Sequence, residues 1–382
     1  MITRDDLHRL ATAEPNGAVL SVYARTDPRD PANTAATPAW EVALRNGLRA
    51  VGDRLEAADD RDARLRFRDL RRTVEKCVLA LEPHERARSV AWFFDADGGA
   101  IARYALQLPL RGDAVVHDVK PYVSLLADVV DRGAPAGVVL VSNERVRLLA
   151  LEQGEVSEPD ASVFELELGD WRTYGGSSGG APERGVQTTS QQEHYRARVD
   201  AQRDRLFAAA VESTAKRLEK LGWDRVALLV ERGVAGDFRA ALPAVLAERL
   251  VVDIEANLEA DDEATIAAAL EPRLDEAWRE AAVALTDRAR ELALAGGRAA
   301  LGAEETLGVL AEGRVEHLVL DPAVDFAADA PMAVAGFPGP AELLGERAVE
   351  RAVATGATVS TLEASAAPAL SEAGGMLALL RY

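Results

Sequence analysis

Short apolar runs alternate with longer helical segments along most of the chain, and this alternation limits the possible folds more than any other feature. The runs at 17–26, 137–141 and 225–230 have the length and apolar character of buried strands. Residues 40–81 and 190–221 instead repeat apolar side chains with a helical period. Strands separated by helices form sheets that helices cover, so the pattern predicts an α/β fold.

The length of 382 residues and a hydrophobic content of 48% predict two or three domains, each with its own core. A turn-rich segment at 131–136 marks one boundary. We place the domains at 1–134, 135–274 and 275–382. Further strands are predicted at 89–94, 99–108, 145–151, 163–168, 250–253, 315–320, 330–335, 357–362 and 376–382, and further helices at 122–130, 302–310 and 341–355, with another helix ending near residue 294.

The charge balance excludes several classes of function. The chain has 63 acidic and 44 basic residues and a net charge of -19, which excludes a general nucleic-acid coat and predicts no DNA binding. Any contact with RNA needs a local basic patch. The single cysteine, Cys77, excludes an internal disulfide or a thiolate zinc cluster. No apolar run reaches the roughly 18 residues of a membrane span, so we expect a soluble, cytoplasmic protein without membrane contact.

The histidines, the phosphate-loop signature and the paired acids do not indicate catalysis or cofactor binding. The five histidines have no metal-ligand spacing, and no Gly-Lys-Ser/Thr triplet marks a phosphate-binding loop. Paired acids such as Asp59-Asp60 and Asp261-Asp262 lie in acidic runs typical of solvated surfaces. We therefore predict no catalytic residue, no metal and no cofactor, and a protein that is not an enzyme.

One loop and the helix after it differ from the rest of the chain. Residues 171–205 contain six arginines and four acids, a local charge of +2. Arginine suits bidentate phosphate contact, aromatic rings can stack on unpaired bases, and glycines allow close backbone approach. A flexible surface linker followed by an ordinary amphipathic helix is the alternative. The candidate RNA-binding residues are Tyr174, Gly175, Gly176, Ser177, Ser178, Gly179, Gly180 and Arg184 in the loop 171–185, and His194, Tyr195, Arg196 and Arg198 in the helix.

Three stretches resemble the archaeal-eukaryotic class 1 release factors and Pelota. The C-terminal residues 374–382, GGMLALLRY, resemble the end of the family's last domain. Residues 301–320 contain its G-x-E-x-T-L and G-x-V-E pattern. The central unit is similar through its apolar strands, the Gly-rich loop and the sequence QEHY at 192–195. The N-terminal residues match more loosely, so the resemblance covers nearly the whole chain.

The resemblance implies three domains and a ribosomal partner. It implies an N-terminal α/β domain, an RNase-H-like central domain and a C-terminal domain of the kink-turn-binding ribosomal-protein type. Members of this family occupy the ribosomal A site as tRNA mimics. The central loop then points at the peptidyl-transferase centre and the N-terminal domain at the decoding centre, so the implied partner is 70S ribosomal RNA. The resemblance also favours a monomer off the ribosome.

The loop departs from the family at the residue that supports peptide release. Release factors have Gly-Gly-Gln at the tip of this loop, whereas here the loop reads Gly175-Gly176-Ser177, and Gln187 follows no glycine pair. Amino-acid usage is typical of a high-GC bacterial genome, and bacterial members without the tripeptide resemble Balon-type ribosome hibernation factors. We therefore expect a hibernation or rescue factor, with elongation factor Tu as a further partner. Two alternatives stay open: a peptidyl-tRNA hydrolase or RNA nuclease, and a stress protein that binds protein partners through acidic helices.

Overall fold

The computed structural model of the chain describes residues 1–58, 61–82, 86–166, 187–326, 337 and 341–382, and the side chains of 187–196 and 341 lie outside this description. The chain forms two compact units: residues 1–133 together with 278–382, and residues 134–277. Both units contain sheets covered by helices, so the α/β class is confirmed. The division into three domains stays a prediction.

Residues 1–133 form an antiparallel sheet with strand order β3-β2-β1-β4. The helix expected over 40–81 is in fact two helices, with residues 58–60 between them. The stretch 109–121 contains an unexpected strand, because pairing with β1 draws it into the sheet. The strands are β1 (Val19–Ala24), β2 (Ser89–Phe94), β3 (Ala100–Leu106) and β4 (Ala114–Asp118), and the helices are α1 (Arg4–Ala11), α2 (Ala39–Ala57), α3 (Arg61–Leu79) and α4 (Ser124–Arg132).

Helices α2 and α3 cover one face of this sheet. Trp40 and Leu48 of α2 and Phe67 and Val74 of α3 are buried in one core with β1 and β2. Apolar residues three and four positions apart line one side of each helix, which is why these sequences fold as amphipathic helices on the sheet. The other side of α3 stays in solvent.

The central unit has the sheet order β10-β9-β5-β6-β7, with β8 paired to β6. Strands β5, β9 and β10 are parallel, and β6, β7 and β8 are antiparallel to their neighbours. An antiparallel meander extended on its other side by two parallel strands agrees with the RNase-H-like arrangement that the resemblance implies. The strands are β5 (Ala136–Val141), β6 (Arg145–Glu152), β7 (Glu155–Ser157), β8 (Val163–Glu165), β9 (Arg225–Val230) and β10 (Leu250–Glu255), and the helices are α5 (Gln187–Leu221), α6 (Ala235–Ala241), α7 (Ala244–Ala247) and α8 (Glu263–Leu294).

Residues 278–382 form a second sheet in the first unit, with strand order β11-β14-β12-β13. Its core is continuous with that of residues 1–133, since Leu7 and Leu126 pack in the same cluster as Leu318 and Val349. The strand expected at 330–335 lies outside the described residues. The strands are β11 (Ala299–Leu301), β12 (Val315–Leu320), β13 (Thr358–Thr361) and β14 (Met376–Leu380), and the helices are α9 (Ala303–Ala311), α10 (Leu344–Ala354) and α11 (Pro368–Glu372).

A buried carboxylate connects the two chain segments of this unit. Glu346 of α10 lies at the start of α4, where it accepts hydrogen bonds from the backbone amides of Val123 and Ser124 and from the Ser124 hydroxyl. Burial, and then the nearby Glu350, raise the pKa of Glu346 to about 8. Glu346 therefore satisfies orphan amides of α4 while it is largely protonated at neutral pH.

None of the helices in the described part of the chain combines the length and apolar character that a bilayer crossing requires.

Candidate functional site

The predicted RNA-binding loop is rooted at one end of the central sheet. Before the loop, the amide of Leu166 donates to the carbonyl of Glu144 at 2.8 Å, so the chain leaves the sheet beside the turn between β5 and β6. This is the end at which the parallel strands β5, β9 and β10 finish. Tyr174, Gly175, Gly176, Ser177, Ser178, Gly179, Gly180 and Arg184 lie outside the described residues.

After the loop, the chain returns as α5, a helix of 35 residues and about 52 Å in length. Among the described side chains of α5, the buried ones, such as Leu206, Phe207 and Leu218, lie in the carboxyl-terminal half, where they pack on the sheet. Side chains of residues 197–205 are exposed or half-buried. The amino-terminal half, about 28 Å of helix, is thus free of core packing over its described side chains.

The predicted helix residues lie in this amino-terminal half. Arg198 is exposed to solvent. The backbones of His194, Tyr195 and Arg196 are helical, and their side chains lie outside the described residues. All four residues therefore lie on the helix that begins just after the loop, as the sequence predicts. The RNA-binding surface that their side chains would form stays a prediction.

Arg203 connects α5 to the end of the sheet from which the loop departs. Its guanidinium donates to Asp237 of α6 at 2.9 Å and contacts the side-chain oxygen of Asn143 at 3.4 Å. Asp200, one turn earlier, lies 3.1 Å away. Arg203 was counted among the basic residues available for phosphate, whereas the structure shows it paired with carboxylates of its own unit. The sequence offers only the Asp200 spacing as a sign of this.

Other arginines at this end of the sheet are also paired with carboxylates. Arg145 contacts Glu165 and Glu259, both at 2.7 Å, and these hydrogen bonds raise the pKa of Arg145. Arg239 bonds both oxygens of Asp253, at 2.8 and 2.7 Å, which likewise raises the pKa of its guanidinium. Within the described residues, no group of three or more His, Cys, Asp or Glu side chains is placed to hold a metal ion.

A serine, a histidine and an aspartate meet in the first unit. The Ser360 hydroxyl donates to Asp131 at 2.6 Å and lies 2.8 Å from Nε2 of His317, and the Trp278 indole also donates to Asp131, at 2.9 Å. Burial lowers the pKa of His317 although Asp131 opposes this. A serine nucleophile needs its base on the hydroxyl and its carboxylate on the base. Here the carboxylate is bonded to the serine, so the arrangement is that of a structural network.

A more basic segment than residues 171–205 lies in the N-terminal residues. Helix α3 contains seven basic and three acidic side chains, a net charge of +4. The signal that could have found it is a charge count over each predicted helix. Residues 40–81 were predicted to form one helix. The net positive charge of α3 was therefore averaged with the neutral α2 and did not stand out.

Comparison with protein families assigns the central unit. Residues 121–274 match the family described as bacterial archaeo-eukaryotic release factor family 10. The matched stretch contains the complete central sheet, the loop and α5. The family to which the sequence motifs point is thereby confirmed for this part of the chain. No curated protein matches the chain by sequence.

The solved structures to which the chain is similar include a translation termination factor and Pelota proteins. An archaeal translation termination factor, aRF1, is 18% identical with a TM-score of 0.26, and the alignment covers 100% of this chain and 99% of that one. Pelota from Archaeoglobus fulgidus is 16% identical with a TM-score of 0.35, over 100% and 92%. An archaeal Pelota, from a model of its ribosome-bound complex with ABCE1, is 12% identical with a TM-score of 0.40, over 100% and 94%. The family assignment rests on the match over residues 121–274.

Proposed function

We propose that this chain, which belongs over residues 121–274 to the bacterial archaeo-eukaryotic release factors, is a ribosome-binding factor that occupies the A site as a tRNA mimic. It acts in hibernation or rescue and releases no peptide. The observation that carries the proposal is the match of the whole central unit, including the loop and α5, to a release factor family. A family named for peptide release acts at the ribosome, and the chain keeps the element that would reach the peptidyl-transferase centre.

The sequence of the loop argues against peptide release. The loop contains Gly175-Gly176-Ser177 and Gly179-Gly180-Ala181, and no Gly-Gly-Gln occurs anywhere in the chain. Gln187 is the first residue of α5, so its backbone is part of the helix. The serine hydroxyl is shorter than the glutamine side chain and carries no amide, so Ser177 cannot present the same pair of hydrogen-bonding groups.

The hydrolase alternative retains one point in its favour. Residues 175–179 fit the spacing Gly-x-Ser-x-Gly, in which a serine nucleophile is presented on a sharp turn directly between a strand and a helix. In this chain β8 ends at Glu165 and α5 begins at Gln187, so Ser177 is far from both elements in sequence. The spacing alone is a weak signal, and a Ser177→Ala variant tests it.

The arrangement of α5 supports an RNA-contacting role for the helix that follows the loop. Arg203 connects the helix to α6 through Asp237, and the side chains described before it, at 197–202, are exposed or half-buried. Arg196 and the exposed Arg198 would then neutralise phosphates.

Co-sedimentation of the full chain with vacant 70S ribosomes over a salt series tests the proposal, with and without A-site tRNA. We expect binding that A-site tRNA competes away, and no peptide released from ribosomes loaded with peptidyl-tRNA. Absence of binding at every salt concentration of the series would contradict the ribosomal role and favour a protein partner for the acidic helices. Peptide release that Ser177→Ala or Gln187→Ala abolishes would establish the enzyme instead. Elongation factor Tu, added with GTP, tests the proposed delivery.

A further inference from the structure

Helix α3 (Arg61–Leu79) is a basic element in an acidic chain. Six arginines and one lysine lie within its 19 residues, against three acids. The chain as a whole has a net charge of -19. A local excess of this kind produces a positive field at short range even where the molecule is acidic overall.

The basic side chains are arranged along one face of α3. Arg64, Arg68, Arg72 and Lys76 follow one another at intervals of four residues, and we call them the α3 stripe. Residues four apart on a helix are neighbours on its surface, and each step is about 6 Å along the axis, so the stripe is about 18 Å long. The side chains of Arg68 and Arg72 are 59% and 72% exposed.

The opposite face of α3 is already occupied. Phe67, Leu70, Val74 and Val78 are buried in the core that α2 and the sheet share. The ring of Phe67 packs edge-on against His117 of β4 at 5.5 Å between centroids. Because its apolar side is buried, α3 cannot insert that side into a lipid bilayer, and only its charged side is available to a partner.

Among the described residues, the acidic side chains around the α3 stripe compensate little of its charge. Asp69 lies 3.5 Å from both Arg68 and Arg72, and all three side chains are mostly exposed, where ion pairs contribute little. The closer pair on α3, Arg71 with Glu75 at 2.9 Å, lies beside the stripe. On the adjacent α2, three arginines and three acids balance, namely Arg45, Arg49 and Arg54 with Glu41, Asp53 and Glu56.

We propose that the α3 stripe binds the phosphate backbone of RNA. Guanidinium groups match phosphate geometry, and three of the four residues in the stripe are arginines. The inference builds on the proposed ribosomal function by naming a second RNA-contacting surface, in the other unit from the Gly-rich loop. Contacts to phosphate fix the position of the protein on RNA and do not depend on base sequence. Such contacts suit a factor that binds ribosomes whatever messenger RNA they hold.

A pair of matched triple variants of the full chain tests the α3 stripe. The test variant is Arg68→Gln with Arg72→Gln and Lys76→Gln. The control is Arg45→Gln with Arg49→Gln and Arg54→Gln, which removes the same charge from exposed positions of the neighbouring helix. Binding to a short fluorescein-labelled RNA stem-loop is measured by anisotropy over a salt series, and binding to 70S ribosomes by co-sedimentation. Thermal unfolding of both variants shows that they are folded.

We expect wild type and control to bind the RNA alike, and the test variant to bind more weakly. Three lost phosphate contacts should lower the slope of log affinity against log salt by about 2 to 3. Equal loss in both variants would mean that net charge alone matters and would overturn the proposal. So would unchanged binding of the test variant, absence of RNA binding by wild type, or preference of wild type for phosphatidylserine vesicles over RNA.

The two measurements separate the two proposals. If wild type binds the RNA stem-loop through the stripe but does not sediment with ribosomes, the ribosomal function fails and the RNA-binding surface stands. If wild type sediments with ribosomes and the test variant does so equally well, the stripe proposal fails and the ribosomal function stands.

Discussion

Glu346 is a buried carboxylate with a pKa near 8 in the folded protein, against 4.5 ordinarily. Arg347 and Glu350 lie on the same helix as Glu346, and Tyr23 of β1 and Tyr122, just before α4, face Glu346. Asp118 contacts Arg347, and Lys120 contacts Glu350. Burial also raises the pKa of Glu350. A carboxyl whose pKa is raised by folding stabilises the protein fully below its unfolded pKa and loses this contribution as pH rises through the folded value.

The free energy of unfolding should therefore decrease between pH 5 and pH 8, the window set by the pKa of Glu346, by up to about 1.4 kcal/mol per pH unit. Glu346→Gln, which mimics the protonated form, should flatten this decrease. Urea unfolding at several pH values measures it, with the exposed Glu363→Gln as control. A pH profile that Glu346→Gln leaves as steep as in wild type would show that other groups cause the decrease.

Gly137 is the second residue whose environment makes a definite prediction. A Cβ atom at this position would lie 2.4 Å from the ring of Trp223, which is buried. Gly137→Ala should destabilise the central unit by about 1–3 kcal/mol, as overpacked cores do. Gly236→Ala in α6, with no atom within 4 Å of the added Cβ, is the control and should not destabilise. Thermal unfolding compares them, and equal melting temperatures would contradict the steric argument.

At the scale of elements, local patterns predicted most strands and helices, because burial alternates or repeats within each segment. The exceptions depended on distant partners. Strand β4 is recognisable only from its pairing with β1, and the close approach at Gly137 depends on Trp223, far along the chain. The break between α2 and α3 falls in a polar stretch that fits a helix locally.

The candidate site stays a prediction, and the structure adds the connections of the helix that follows the loop. The loop 171–185 is conspicuous in composition, and the structure places its root and α5 where the parallel strands end. The role of Arg203 could not be read from the sequence, since Asn143 and Asp237 are remote in the chain. The basic face of α3 could have been found from the sequence. It was not, because residues 40–81 were predicted to form one helix.

Deletion of residues 175–180 should weaken ribosome binding without lowering the melting temperature. The deleted residues precede α5, and surface loops tolerate changes of length at small cost in free energy. Co-sedimentation and thermal unfolding of the same preparation measure both properties. Ribosome affinity equal to that of wild type would remove the loop from the binding surface.

Arg203→Ala should loosen the amino-terminal half of α5 while the core of the unit stays folded. The guanidinium is largely covered, and its loss removes the ties to Asp237 and Asn143. Amide hydrogen exchange should accelerate at 197–205 and remain unchanged at 206–221, where α5 packs on the sheet. Lys216→Ala, which removes an exposed ion pair with Glu212 on the same helix, is the control. Unchanged exchange at 197–205 would show that Arg203 does not anchor the helix.

At the scale of the whole molecule, charge is distributed unevenly. Residues 1–133 have a net charge of -1, residues 134–277 of -11 and residues 278–382 of -7. The unit with the proposed RNA-contacting loop is thus the most acidic. Long-range repulsion from ribosomal RNA opposes approach, and only local basic surfaces can attract it at contact.

The association rate with ribosomes should therefore rise as salt increases from about 10 mM to about 150 mM, where the Debye length shortens from about 30 Å to about 8 Å. Screening removes the repulsion of the net charge first, whereas the dissociation rate increases as close contacts weaken. Stopped-flow fluorescence separates the two rates. An association rate that falls throughout this range would mean that local basic surfaces steer the encounter.

The first unit draws its core from residues 1–133 and 278–382, with the central unit inserted between them. During synthesis the chain emerges from its amino terminus, so residues 134–277 are complete while half of the first unit's core is still untranslated. The central unit can then fold first. The apolar side chains of β1, β2 and α4 that pack against α9 and α10 stay exposed until those helices have been synthesised. A nascent chain of this design depends on protection of its early segments, for example by chaperones, for as long as the insertion takes to be made.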